Sequence, residues 1–162
     1  MKSTTKDLFG RVLMLVAIVG LTTIAAFSQN DRGGGRLAGT WDASISRTDC
    51  ATGNPLVTFK SIANFNQGGT FLGSTAGTPQ AARTPEHGVW RHVSGNTYEF
   101  KFKSFNFDAT GTATGYVIVR HDLELDETAD EYTSSGEAKF YNMAGVQVGQ
   151  GCSSGVGTRF TF

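Results

Sequence analysis

Residues Asn96–Asp126 read NTYEFKFKSFNFDATGTATGYVIVRHDLELD, and the fold turns on them. Two long runs, Asn96–Asp108 and Thr114–Asp126, flank the turn segment Ala109-Thr-Gly-Thr-Ala113. In the second run Val117, Val119, His121, Leu123 and Leu125 alternate with Tyr116, Ile118, Arg120, Asp122 and Glu124. Successive side chains on a strand point to opposite faces, so this alternation predicts a strand with one core face and one solvated face. A slip of one residue would bury Arg120, Asp122 and Glu124, which pins the register. The first run places Tyr98, Phe100 and Phe102 opposite Glu99, Lys101 and Lys103, and then changes phase, so that Phe105 and Phe107 fall on the lysine face. A β-bulge near Ser104, the expected solution, returns both to the core. Without it they form an exposed apolar patch, the mark of a contact surface.

The hairpin has strand patterns on both sides. Leu37–Asp49 alternates Leu37, Gly39, Trp41, Ala43 and Ile45 against polar residues, and Cys50–Pro55 is a turn cluster. Leu56–Asn66 and Thr70–Ser74 follow, and Gly88–Val93 carries Trp90. After the hairpin come an acidic tip and then Glu131–Met143, Val146–Gln150, a glycine-rich corner at Gly151–Gly157, and a last strand at Thr158–Phe162. The one long break is Thr75–His87, where Pro79 and Pro85 argue against a central strand. Loops of that length are uncommon and often serve as lids, so it is the candidate flap. Short strands with hairpin-length links predict an all-β fold, a closed up-and-down antiparallel barrel of about eight strands, since closure removes exposed edges.

The N-terminus reads as a targeting segment. Lys2, Lys6 and Arg11 precede the apolar run Val12–Leu21, and Ala26-Phe27-Ser28 offers small residues for cleavage before Gln29. The apolar run is shorter than the ~20 residues of a membrane-spanning helix. Met1–Ser28 is therefore expected to be a signal peptide, residues 29–36 a flexible glycine-rich lead-in and residues 37–162 the barrel, secreted or periplasmic and without a membrane span after cleavage. Cleavage removes three basic residues and one acidic from 14 of each, leaving 11 against 13 in about 134 residues. That balance lacks the basic stripe of a nucleic-acid binder. Cys50 and Cys152 are the only cysteines, and an even count in a secreted chain reads as a disulfide. One ends the first strand and the other precedes the last, so in a closed meander the bond staples the seam.

Gly39-Thr40-Trp41 resembles the Gly-x-Trp that opens the first strand of lipocalins and avidins, the calycin barrels. The resemblance implies eight antiparallel strands around a ligand cavity. It also implies that Trp41 plugs the closed end, with Arg159 on the last strand packed across it. The lipocalin Thr-Asp-Tyr motif is missing, no helix pattern follows the barrel, and two tryptophans are too few for an avidin site, so biotin is not implied. Small secreted bacterial protease inhibitors have a similar barrel shape with one disulfide.

Catalytic motifs are absent: there is no Gly-x-Ser-x-Gly elbow and no phosphate-binding glycine loop. The acidic tip Asp126–Glu131 lacks the spacing of a calcium loop, and His87, His92 and His121 lack a zinc-ligand spacing. No cofactor or metal is expected. His121 stands out as a polar residue in mid-strand on an apolar face. It reads as a satisfied core histidine, a ligand contact or a base. The expected ligand contacts for a small hydrophobic molecule are Trp90, Tyr98, Phe100 and His121. Two other readings stay open. One is a barrel cyclase or isomerase using His121 and Tyr98, and the other is a protein-binding module such as a protease inhibitor.

Overall fold

A computed structural model describes residues Gly34–Phe162; the expected targeting segment, Met1–Ser28, and the first part of the lead-in lie outside the described residues. The strands are β1 (Gly39–Thr48), β2 (Pro55–Asn66), β3 (Thr70–Thr75), β4 (Glu86–Ser94), β5 (Thr97–Phe107), β6 (Ala113–Leu125), β7 (Glu131–Asn142) and β8 (Gln147–Arg159). Each pairs antiparallel with its neighbours in the chain, and β1 pairs with β8, so the described residues form a closed eight-stranded up-and-down barrel. The alternation in β6 is realised as read: Val117, Val119, His121, Leu123 and Leu125 are buried and Arg120, Asp122 and Glu124 face solvent. Charges such as Lys101, Arg120 and Glu137 sit on the outer wall.

One end of the barrel is closed by packing. Trp41 is fully buried, donates from its indole Nε1 to the Leu37 carbonyl at 3.0 Å, and meets Tyr132 edge-on at 5.1 Å. Phe65 sits at the centre of an aromatic cluster, 5.2 Å from Phe71, 5.4 Å from Phe100 and 6.1 Å from Trp90. Each such pair adds roughly 0.5–1.5 kcal/mol beyond its area burial. The end of the lead-in takes part, because Gly34–Arg36 forms a 3-10 turn. Arg36 donates to the Asn96 side chain at 2.7 Å and to the Glu127 carbonyl at 2.6 Å.

Three local readings are corrected. No bulge occurs near Ser104: the β5–β6 ladder is unbroken from Thr97 to Asn106 and shifts only between Asn106 and Phe107. Ser104 stays inward at 1% exposure and Phe105 stays outward at 39%. The outward ring is accommodated because Lys103 Nζ lies 3.8 Å from the Tyr116 ring and 4.8 Å from Phe105, and Tyr116 stacks on Tyr141 at 5.0 Å. The glycine-rich corner is instead the middle of one continuous strand, β8. A Cβ at Gly157 would overlap the Tyr132 ring, so glycine there makes room for a core side chain rather than a turn. Finally, β4 begins at Glu86, which shortens the long break and turns Glu86 inward with Trp90.

The disulfide Cys50–Cys152 is present, with a Cα–Cα separation of 5.2 Å. Thr48 pairs with Cys152 across the β1–β8 seam, which brings the first and last strands together where the bond forms.

Candidate functional site

Above the packed floor the barrel interior holds a cavity of about 170 Å³. Phe71, Phe100, Phe102, Val117 and Val119 supply its apolar wall. The loop between β3 and β4 closes over one side. Thr84 is hydrogen-bonded to Phe105 twice, its N–H to the Phe105 carbonyl and the Phe105 N–H to its hydroxyl, each at 3.0 Å, and Arg83 bridges to Asn106. These ties turn Gly77, Thr78 and Arg83 into cavity lining. A wider depression of about 570 Å³ lies on the outer wall, but it is solvent-facing. Its charges answer one another, with Glu99 paired to Arg91 at 2.9 Å and to Arg120 at 3.1 Å.

Of the four expected ligand contacts, Phe100 and His121 line the cavity and lie opposite each other across the β5–β6 ladder. Trp90 and Tyr98 sit below them, 6.0 Å apart in the packed floor, and the Trp90 indole donates to the Asn66 carbonyl at 2.9 Å. His121 is 2% exposed, with Nδ1 3.1 Å from the Ser134 hydroxyl and Nε2 2.8 Å from the Ser153 hydroxyl. Both ring nitrogens are thus occupied. Burial lowers its pKa to about 4, so the ring is neutral at pH 7 and donates through one nitrogen while accepting at the other. Gly136 faces His121 across the β6–β7 ladder, where an added Cβ would sit 2.6 Å from the imidazole Cδ2. A bare backbone at that position is what admits the ring.

The polar residues that sequence reasoning missed are Glu86 and Arg83. Glu86 is 6% exposed. Burial raises its pKa to about 7, against the opposing pull of the Arg83 charge. Burial likewise lowers the Arg83 pKa, an effect that Glu86 opposes and Arg47 reinforces. Tyr132 feels the same neighbourhood: burial, with the Glu86 charge added, raises its pKa. Counting back from Trp90 in steps of two would have found Glu86, since β4 alternates Glu86, Gly88, Trp90. Pro85 hid it by making the start of the strand look like loop.

At the closed end, Arg159 lies with its guanidinium carbon 4.3 Å from the centre of the Trp41 ring. Among the described residues no group of three or more His, Cys, Asp or Glu is placed to hold a metal ion, and no helix is long and apolar enough to cross a membrane. Comparison of the chain with family models, with curated proteins and with solved structures finds no match.

Proposed function

We propose that this protein is a secreted or periplasmic calycin-like barrel that binds a small hydrophobic molecule in its interior. The observation that carries the reading is the cavity of about 170 Å³ above a tightly packed floor. An apolar cavity of ~150 Å³ is large enough to take benzene, so the natural ligand has a body of about one ring. Phe100 and His121 are the contacts to it, and Trp90 and Tyr98 act as the supporting floor. The calycin-like assignment is supported by Trp41 and Arg159, which meet at the closed end as the Gly-x-Trp resemblance implies. Export is supported by the pattern of Met1–Ser28 and by the Cys50–Cys152 bond, which suits an oxidising compartment.

The acid–base reading has less support. It needs Tyr98 beside His121 at the ligand, and Tyr98 is fully buried in the floor and does not line the cavity. A protein-binding role has one observation in its favour, the outward Phe105 beside Tyr116 and Tyr141.

The test is native mass spectrometry of protein exported to the periplasm of an expression host, followed by solvent extraction and an apolar dye titration. Binding of dye or of a co-purified small molecule, abolished by Val119→Phe, is the expected result. A protein that is empty and refuses the dye overturns the reading.

A further inference from the structure

The upper wall of the cavity carries polar groups that the fold leaves unanswered. Arg83 Nε, on the cavity lining, is buried without a hydrogen-bond partner, and so is the Ser104 hydroxyl, packed behind the lining. Glu86 is buried, and among the described residues no hydrogen bond or ion pair reaches its carboxyl group. One step beyond the His87–Lys103 pair, Glu86 and Ser104 face inward side by side on β4 and β5. Natural proteins pair nearly all buried polar groups, so a cluster left open on a cavity wall points to a partner that arrives from outside. Arg83 Nε offers a donor, and Arg47 adds a second positive charge among the lining residues. A carboxylate has only acceptors to offer, and the guanidinium fork matches it. An amine would satisfy Glu86 alone and would be repelled by Arg83 and Arg47.

We infer that the cavity takes a small monocarboxylic acid, its carboxylate held by the Arg83 guanidinium and its apolar body laid against Phe71, Phe100 and Phe102. The inference rests on reading the barrel interior as a ligand site, and it adds the head group. A carboxylate brought beside Glu86 cannot remain next to a second negative charge, so the two groups share one proton. The groups facing Glu86 are Arg83 from the loop and Tyr132 from β7, with Arg47 and neutral His121 elsewhere on the lining; Gly73 and Ser104 beside it do not titrate. Free Glu86 gives up its proton near pH 7, so at higher pH binding must take a proton from solvent. Affinity for a permanent anion then falls about tenfold from pH 6 to pH 8.

The experiment is calorimetric titration of the disulfide-bonded chain with benzoate, benzyl alcohol and benzylamine at pH 6 and pH 8. At pH 6 benzoate is expected to bind at least tenfold more tightly than benzyl alcohol, and to lose about tenfold by pH 8. Glu86→Gln should bind benzoate equally at both pH values, and Arg83→Gln should reduce it to the level of benzyl alcohol. Circular dichroism confirms that each variant is folded, and the wild-type comparison stands without them. Equal binding of benzoate and benzyl alcohol by the wild type overturns the carboxylate assignment while leaving the cavity intact. So does a preference for benzylamine that grows with pH. If none of the three binds, the ligand-site reading itself fails.

Discussion

The Arg159 guanidinium covers the Trp41 ring at 4.3 Å and donates to three backbone carbonyls, those of Arg36 at 2.6 Å, Ala129 at 2.8 Å and Ala38 at 3.0 Å. One side chain thus ties the last strand, the β6–β7 turn and the entry to β1 across the plugged end. Arg159→Ala removes a partly desolvated cation–π contact of about 1–2 kcal/mol and leaves carbonyls unmet at about 1 kcal/mol each. The expected loss is about 3 kcal/mol or more, read as a fall in urea midpoint. Arg159→Lys keeps the charge but loses the fork, and should recover less than half of it. A lysine variant as stable as the parent would show that the planar fork is dispensable.

The disulfide spans 102 residues of sequence. For a loop of about 100 residues the chain-entropy model assigns roughly 4.7 kcal/mol. At about 2–4 °C per kcal/mol for a domain of 150 residues or more, and more for a smaller one, the Cys50→Ser/Cys152→Ser double variant should melt more than 10 °C lower. Unchanged melting would mean that the seam holds by its ladder alone.

Glu86 and His121 bend the pH dependence of stability in opposite directions. The folded pKa of Glu86 is raised from 4.5 to about 7, so its contribution is full below pH 4.5 and is lost as pH rises through 7. The folded pKa of His121 is lowered from 6.5 to about 4, so its contribution is full above pH 6.5 and is lost as pH falls through 4. At 1.36 kcal/mol per unit each is on the order of 3 kcal/mol, and the two slopes cancel between about pH 4.5 and 6.5. Glu86→Gln should therefore unmask a stability that climbs from pH 4.5 to 6.5 and then stays level. Urea denaturation across that range checks it; a Glu86→Gln curve parallel to wild type would contradict the assignment.

Gly136→Ala should cost several kcal/mol, because a Cβ there would overlap the Arg120 carbonyl oxygen and crowd the His121 ring. The matching change at Gly111, an exposed turn glycine with open space around its missing Cβ but a positive φ of 81°, should cost only its backbone strain of about 1 kcal/mol. Equal losses at the two sites, measured by thermal melts, would refute the packing argument.

The barrel was legible in the sequence because β6 alternates without a fault and most connections are hairpin-length, which leaves few topologies. The cysteine pairing followed from chain order, and the Trp41–Arg159 contact from the Gly-x-Trp resemblance. Three features were not legible, for physical reasons. Phe105 looks like a core residue, yet an outer wall bearing Tyr116 and Lys103 can receive a ring as well as a core can. The glycines of β8 look like a turn, yet they are spacers for the rings of neighbouring strands, and that depends on side chains distant in sequence. Of the cavity lining, Phe100 and His121 could be read from periodicity, whereas Arg83 and Glu86 were masked by Pro85 and by the expectation that charges face water. The close of the loop onto β5 brings Arg83 to the cavity, and the inward alternation of β4 brings Glu86.

The central claim is a ring-sized cavity above a packed floor, and the most direct measurement is a methyl-labelled NMR titration with toluene. The account predicts saturable shifts at Val117 and Val119, which line the cavity, and none at outward-facing Val89 and Val148, with Leu123 and Leu125 in the floor nearly still. Shifts confined to the exposed valines, or no shift at any methyl, would contradict it.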